Sequence, residues 1–560
     1  MSAQPEWDSS IRLVDLLLEE QRTLSAVDEF AAAHSTSADL IGRYSSLIPV
    51  GQPEKGQQLA FQVDLDSCTG CKACVTACHS LNGLEEEETW RTVGLLDTER
   101  PTSGGVHQQT VTAACHHCAE PACLSGCPVR AYEKDEVTGI VRHLDDQCIG
   151  CRYCQLMCPY DVPTWSERLG IVRKCDMCHE RLAEGEAPAC VQGCPNEAIS
   201  IAIVDRDPVQ RDASLLSVTP GAVPPSEWTS PTTQYLSERE VHIGMDPADR
   251  DHAIPNHPHM PLVVMLVLTQ AAMGAVWSDS VQGLGVLSTD SARVVVPSLA
   301  LVLGFAGLGA SFAHLGRPQW AFRAVLGLRT SWMSREIVAL GGFAGTLVAI
   351  FVAAWVSSWN LSVPSPLVSS IQNSRELVSF AATGMAGIGL LCSIQIYAVT
   401  RRPFWSFRKT AARFVGTAAW VGTSVAHLSC FAGAETTIDS PTPAQVAIPM
   451  TLMILTAFRL WSESGWLVSS AHSNQTIALA RSRRLLSGVL RREARARVTT
   501  LAMAGIGGPL LSLVLAVIGV SPWVLGVVAS GMLVLGLFSE MIERRLFFRA
   551  EAMPAMPGEG

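Results

Sequence analysis

Four groups of four cysteines follow one another between Cys68 and Cys194, and nothing else in the sequence restricts the fold as tightly. The first is Cys68-x2-Cys71-x2-Cys74-x3-Cys78, and the second is Cys115-x2-Cys118-x4-Cys123-x3-Cys127-Pro128. The third is Cys148-x2-Cys151-x2-Cys154-x3-Cys158-Pro159, and the fourth is Cys175-x2-Cys178-x11-Cys190-x3-Cys194-Pro195. These groups form an internal repeat, and a repeat of this kind decides the fold of its segment. Closely spaced thiolates wrap a loop around one cubane cluster, and the last cysteine of the run reaches a partner cluster. The proline ends the local helix and removes a donor. Four complete quartets predict four [4Fe–4S] clusters with crossed ligation. Cys68, Cys71 and Cys74 pair with Cys194, and Cys175, Cys178 and Cys190 with Cys78. Cys115, Cys118 and Cys123 pair with Cys158, and Cys148, Cys151 and Cys154 with Cys127. Structural zinc would ask for two well-separated CxxC knuckles instead. Phe61–Leu65 and Gly139–His143 alternate in polarity like short strands leading into cluster loops.

The 560 residues divide into two unlike halves, so the net charge of −10 describes neither. Residues 1–256 are polar, acidic and cysteine-rich; residues 260–548 are apolar. The soluble half has no basic patch of the kind nucleic acid requires. Met1–Val50 shows neither a basic segment followed by an apolar one nor a twin-arginine pair, so a reducing compartment is expected. Ile11–Leu18 reads as a short amphipathic helix. Beyond a Pro/Ser-rich stretch, apolar runs of about 20 residues recur, long enough to span a bilayer. They lie near Leu262–Trp277, Val294–His314, Ile337–Trp359, Leu377–Val399, Phe414–Gly433, Val446–Trp466, Leu501–Val520 and Trp523–Met541.

The expected architecture is therefore two-part: a ferredoxin-like α+β domain with four clusters, then an all-α eight-helix transmembrane bundle. Its segments are an N-terminal helical stretch (1–56), the cluster domain (57–206), an irregular linker (207–259), the membrane anchor (260–548) and a tail (549–560). Loops on the cluster-domain side carry Arg317, Arg323, Arg329 and Arg335, then Arg401, Arg402, Arg408, Lys409 and Arg413, then seven arginines from Arg481 to Arg497. The positive-inside rule places that side in the cytoplasm, in a multi-pass protein of the inner membrane.

Cys148-Ile-Gly-Cys-Arg-Tyr-Cys154 with Cys158-Pro-Tyr160, and Lys174-Cys-Asp-Met-Cys178 with Pro188-Ala-Cys190 and Cys194-Pro-Asn-Glu-Ala198, resemble the iron–sulfur subunit of dimethyl sulfoxide reductase-type molybdoenzymes. Ser311-Phe-Ala-His314-Leu-Gly-Arg317-Pro318 and Ser331-Trp-Met-Ser-Arg335-Glu336 resemble that family's membrane anchor, with Glu543-Arg544-Arg545 before Phe547-Phe548 as a weaker echo. The resemblance implies a non-catalytic electron-transfer subunit that oxidises menaquinol or ubiquinol in the lipid bilayer. It implies a separate molybdopterin reductase subunit as partner, with nitrate or an S- or N-oxide as terminal substrate. His314 is then the base at the quinol site, Glu336 a proton relay, and Arg317 or Arg335 the group polarising the quinone oxygen.

Polar groups inside spans are functional candidates. Arg459 and Glu463, four apart, are expected to pair with each other, and Gln270 and Gln395 to bond between helices. A b-type haem needs two histidines at one depth, and His314 and His427 lie at different depths, so no haem is expected. Reverse electron flow from a dehydrogenase partner to quinone is the first alternative. A transporter with an attached redox sensor would need acids deep in its spans, and few are expected there.

Overall fold

The computed structural model describes residues 44–97, 108–207, 223–239, 245–281, 292–358, 365–431, 442–468 and 477–552. The stretch Ile11–Leu18 lies outside the described residues.

The soluble part is built from short strands that deliver the cysteine loops. The strands are β1 (Gln57–Asp64), β2 (Thr92–Asp97), β3 (Gln108–Ala113), β4 (Tyr132–Lys134), β5 (Val141–His143), β6 (Thr164–Ser166), β7 (Ile171–Arg173) and β8 (Ile199–Asp205). Each cysteine run begins just after a strand: Cys68 after β1, Cys115 after β3, Cys148 after β5 and Cys175 after β7. β1 pairs antiparallel with β8, Phe61 opposite Ile201, which brings the first cysteine run beside the last. The β4–β5 hairpin separates the second run from the third, and the β6–β7 hairpin the third from the fourth.

The Pro/Ser-rich stretch is less irregular than its composition suggests. Its β9 (Gln234–Leu236) adds to β1 in parallel, and its β10 (Asp246–Pro247) adds to β2. Pairing open sheet edges satisfies backbone groups that a free linker would leave to water.

The second part is helical: α1 (Met260–Val281), α2 (Ala292–Phe312), α3 (Trp332–Ser358), α4 (Ser365–Ala398), α5 (Phe407–Ser429) and α6 (Pro443–Val468). After α7 (Ile477–Ser487) comes α8 (Arg491–Ala502), which runs through a π-helical turn at Met503–Gly507 into α9 (Gly508–Val517); α10 (Pro522–Arg549) ends the bundle. Among the described residues, seven helices are long and apolar enough to cross a membrane. The expected eighth, at α5, forms but is too polar to be among them. α5 buries its polar face inside the bundle. Gly274 of α1 and Gly422 of α5 touch backbone to backbone, and a Cβ at either would run into its partner's main chain. Small residues at a crossing let membrane helices approach this closely.

α10 corrects the sequence reading. The apolar run ends at Met541, but the helix continues to Arg549, carrying Glu540, Glu543 and Arg544 into the bundle, each at most 4% exposed. Acids deep in the helices are thus more numerous than expected.

Candidate functional site

The cysteine loops owe their shape to left-handed residues. Gly70 (φ 73°) and Lys72 (φ 61°) flank Cys71, while Gly150 (φ 69°) and Arg152 (φ 58°) flank Cys151. Glycine takes this conformation without strain. The curl turns backbone amides towards sulfur: Gly150 N donates to Cys148 Sγ at 3.4 Å and Met177 N to Cys175 Sγ at 3.4 Å. After the prolines the same pattern recurs four residues on, with Ala131 N to Cys127 Sγ at 3.2 Å and Ala198 N to Cys194 Sγ at 3.3 Å.

Folding gathers the sixteen thiols into four sets. Cys68, Cys71 and Cys74 lie with Cys194. Cys78 joins Cys175, Cys178 and Cys190 around a cavity of about 270 Å³. Cys115, Cys118 and Cys123 share a cavity of about 370 Å³ with Cys158. Cys127 joins Cys148, Cys151 and Cys154. Every one is a free thiol, and no disulfide competes. Burial pushes Cys78, Cys118 and Cys158 up to about 12, so they need a strongly cationic centre to become thiolates. Among the described residues no group of three or more His, Cys, Asp or Glu closes around a single ion. Four thiols spread around a cavity suit an iron–sulfur cluster.

The Cys148–Cys158 loop and the turn at Gly126–Pro128 both grip the anchor. Gly316 N and Arg317 N donate to the carbonyls of Gly150 (3.4 Å) and Ile149 (3.0 Å). Gly327 N donates to Pro128 O at 2.7 Å, and Ser331 Oγ to Gly126 O at 2.6 Å. Tyr153 sends its hydroxyl to Ile396 O on α4 at 3.0 Å. Arg402 reaches the carbonyls of Gln155 and Leu156, both at 3.2 Å.

His314 sits two residues beyond α2, its Nδ1 buried without a hydrogen-bond partner. Its charged neighbour is Arg152 from the cysteine loop, with His259 close by. Glu336 lies in the first turns of α3, 6% exposed, and accepts a hydrogen bond from Ser393 Oγ of α4. Tyr153 and Tyr397 are its neighbours. The two arginines expected beside quinol bond main-chain carbonyls. Arg317 Nη1 donates to Asp145 O at 2.7 Å, and Arg335 donates to the carbonyls of Leu328 (3.2 Å) and Arg329 (2.8 Å). Arg152 and Tyr153 of the cysteine loop are the neighbours of His314 and Glu336. Within Cys151-Arg-Tyr-Cys154 they read only as spacers, and no local signal reveals their contact with residues as far along the chain as His314 and Ile396.

Sequence reasoning also missed a buried ion network. Glu540 accepts from Arg459 Nη2 (3.0 Å), Arg497 Nη1 (3.1 Å) and Thr417 Oγ1 (2.6 Å). Arg497 holds Glu463 at 3.0 Å, nearer than the expected Arg459–Glu463 pair at 3.6 Å. Arg544 donates to Gln270 Oε1 at 2.9 Å, and Arg413 faces Glu543 at 3.4 Å. His427 bonds Ser512 at 3.0 Å.

Strand-delivered cysteine sets docked on a bundle of apolar helices define an iron–sulfur electron-transfer protein carrying its own multi-pass membrane anchor. Residues 255–549 match the family model described as DMSO reductase anchor subunit (DmsC), and the chain belongs to that family. Residues 106–204 match a 4Fe-4S dicluster domain, so two functions are fused in one polypeptide. The B subunit of the anaerobic dimethyl sulfoxide reductase of Escherichia coli (strain K12) is 37% identical over 180 residues, covering 31% of this sequence and 86% of that protein. Thiosulfate reductase electron transfer subunit PhsB of Salmonella typhi is 38% identical over 149 residues, 26% of this sequence and 77% of its own. Hydrogenase-2 operon protein HybA of Escherichia coli O157:H7 is 33% identical over 260 residues, 41% of this sequence and 75% of its own.

Proposed function

We propose that this chain oxidises menaquinol or ubiquinol at His314 and passes the electrons through four [4Fe–4S] clusters to a separate molybdopterin reductase subunit. The observation that carries the reading is the docking of the Cys148–Cys158 loop on the anchor beside His314 and Glu336. It brings one cysteine set within hydrogen-bonding contact of the membrane half. The ligand sets are the four thiol groups described above. Bound clusters supply one-electron stations. The names of the DMSO reductase and thiosulfate reductase relatives support a reductase partner acting on a sulfur compound such as an S-oxide, with an N-oxide or nitrate also open.

Quinol gives up two electrons and two protons as it becomes quinone. His314 Nδ1, buried and without a partner, is placed to take a proton from a ring hydroxyl. Nearby Arg152 opposes a second positive charge on the imidazole, so the accepted proton is released readily. Glu336, held by Ser393, takes the other. Eight helices cross the inner membrane, α5 among them, with the cluster domain in the cytoplasm.

The test is His314→Phe in the full-length protein. Quinol should no longer reduce the clusters, while dithionite should still do so because no cysteine is touched. Normal quinol-driven reduction in this variant would place the site elsewhere. Likeness to a hydrogenase-2 operon protein favours one second reading, in which a dehydrogenase partner drives electrons towards quinone. Electron transfer from reduced clusters to quinone outpacing the reverse would select it.

A further inference from the structure

Two cations, Arg91 and Lys174, are buried within the cysteine domain, 2% and 3% exposed. Arginine and lysine are almost never fully buried unless paired with an anion. Neither is held by a carboxylate. Glu88, the acid nearest to Arg91 in sequence, is bound to Arg173 at 3.1 Å. Arg91 lies over the Phe61 ring at 4.6 Å and donates from Nη1 to Thr112 Oγ1 at 3.2 Å, leaving Nε and Nη2 buried without protein partners. Lys174 donates to the carbonyls of Val141 and Cys175 and lies 3.6 Å from Cys115 Sγ.

Their positions are specific. Thr112, which Arg91 holds, is 3.7 Å from Cys74 Sγ of the outermost set. The guanidinium also lines the cavity shared by Cys78, Cys175, Cys178 and Cys190. Arg91 therefore stands at the joint between the first and second sets. Lys174 lines the cavity of Cys115, Cys118, Cys123 and Cys158 while bonded to the carbonyl of Cys175, the joint between the second and third sets. At the last joint, towards the anchor, the residue between Cys123 and Cys154 is Tyr132, a phenol.

We propose that Arg91 and Lys174 are fixed counter-charges built into the two outer joints of the relay, raising the reduction potentials of the clusters on either side and drawing electrons away from the anchor. The inference rests on the ligand sets proposed above. A cluster gains one negative charge on reduction. A cation held in a dry site beside it favours that form, with little solvent screening. Two positive charges face sulfur, with unspent N–H groups on Arg91, and the carboxylate whose charge reaches Lys174, Asp176, is itself bonded to His179 at 2.8 Å. Both residues act through the clusters and neither contacts quinol, so they are positioning residues.

The experiment is a redox titration of the full-length protein by electron paramagnetic resonance, with iron measured on each sample. Lys174→Gln should disfavour reduction about tenfold, some 59 mV for a one-electron couple, in the two clusters flanking its joint. Lys174→Arg should restore the native values. Arg91→Gln should do the same to the two outermost clusters, with rescue by Arg91→Lys. Unmoved potentials in an iron-complete glutamine variant overturn the proposal, as does an equal shift in all four clusters. Loss of iron from both glutamine variants also overturns it, by making the cations structural. A parent protein with only about eight irons would instead refute the ligand sets themselves.

Discussion

At the scale of single residues, the junction between the two halves depends on three glycines. Gly150, Gly170 and Gly316 meet main chain to main chain, and a Cβ on Gly316 would strike the Gly170 carbonyl oxygen and the Trp165 ring. Backbone cannot yield as a flexible side chain does. Gly316→Ala should therefore leave all iron bound but lift the Cys148–Cys158 loop from the anchor. Quinol-driven cluster reduction, followed by its absorbance change in stopped flow, should slow by about tenfold or more while dithionite reduction stays complete. An unchanged quinol rate would show that this contact does not set the electron path. Arg317 and Arg335, expected beside quinol, are held by main-chain carbonyls: Arg317 by Asp145, Arg335 by Leu328 and Arg329.

At the scale of elements, α10 is the organising helix of the anchor's second half. It faces α5 through Thr417–Glu540, α6 through Arg459–Glu540 and α8 through Arg497–Glu540. Removing one member of a buried ion group leaves its partners charged and uncompensated, a loss of about 3–5 kcal/mol. Glu540→Gln should lower the unfolding midpoint in detergent by that equivalent, measured by thermal or denaturant unfolding, with the cysteine domain keeping its iron. A midpoint within error of the parent would show that the arginines find other partners. The π-helical turn at Met503–Gly507 belongs to the same packing, since Gly505 sits against Thr456 and the Trp420 ring nitrogen. Such turns frequently mark functional segments of helices.

At the scale of the whole molecule, the proposed clusters and topology make two measurable statements. The purified protein should hold about sixteen non-haem irons, four per cubane; zinc, or about eight irons, would refute the assignment. Protease added outside intact spheroplasts should spare residues 1–256, and cleavage there would reverse the orientation. The arginines used to read that orientation have a second role. Arg317, Arg323, Arg402 and Arg481 donate to main-chain carbonyls of the soluble part, at Asp145, Asp146, Gln155 and Asp249. One row of cations thus clamps the electron-transfer domain to its anchor.

What the sequence determined by itself is whatever depends on near neighbours along the chain. Cysteine spacing specifies loops that can wrap a cluster, and strand-like alternation marks Phe61–Leu65. Apolar runs of bilayer length mark seven of the anchor helices. These signals are local, because ligand geometry and bilayer thickness act over a few to about twenty residues. Tertiary structure decided what meets across long separations. Glu540 is an end-of-helix acid in sequence and a buried ion partner only once α5, α6 and α8 surround it. Lys174 reads as the residue before a cysteine and becomes a cation between two thiol sets only when β5 and the Cys115 loop close over it. Burial turns an ordinary charge into a strong local field, and burial is a property of the packed whole.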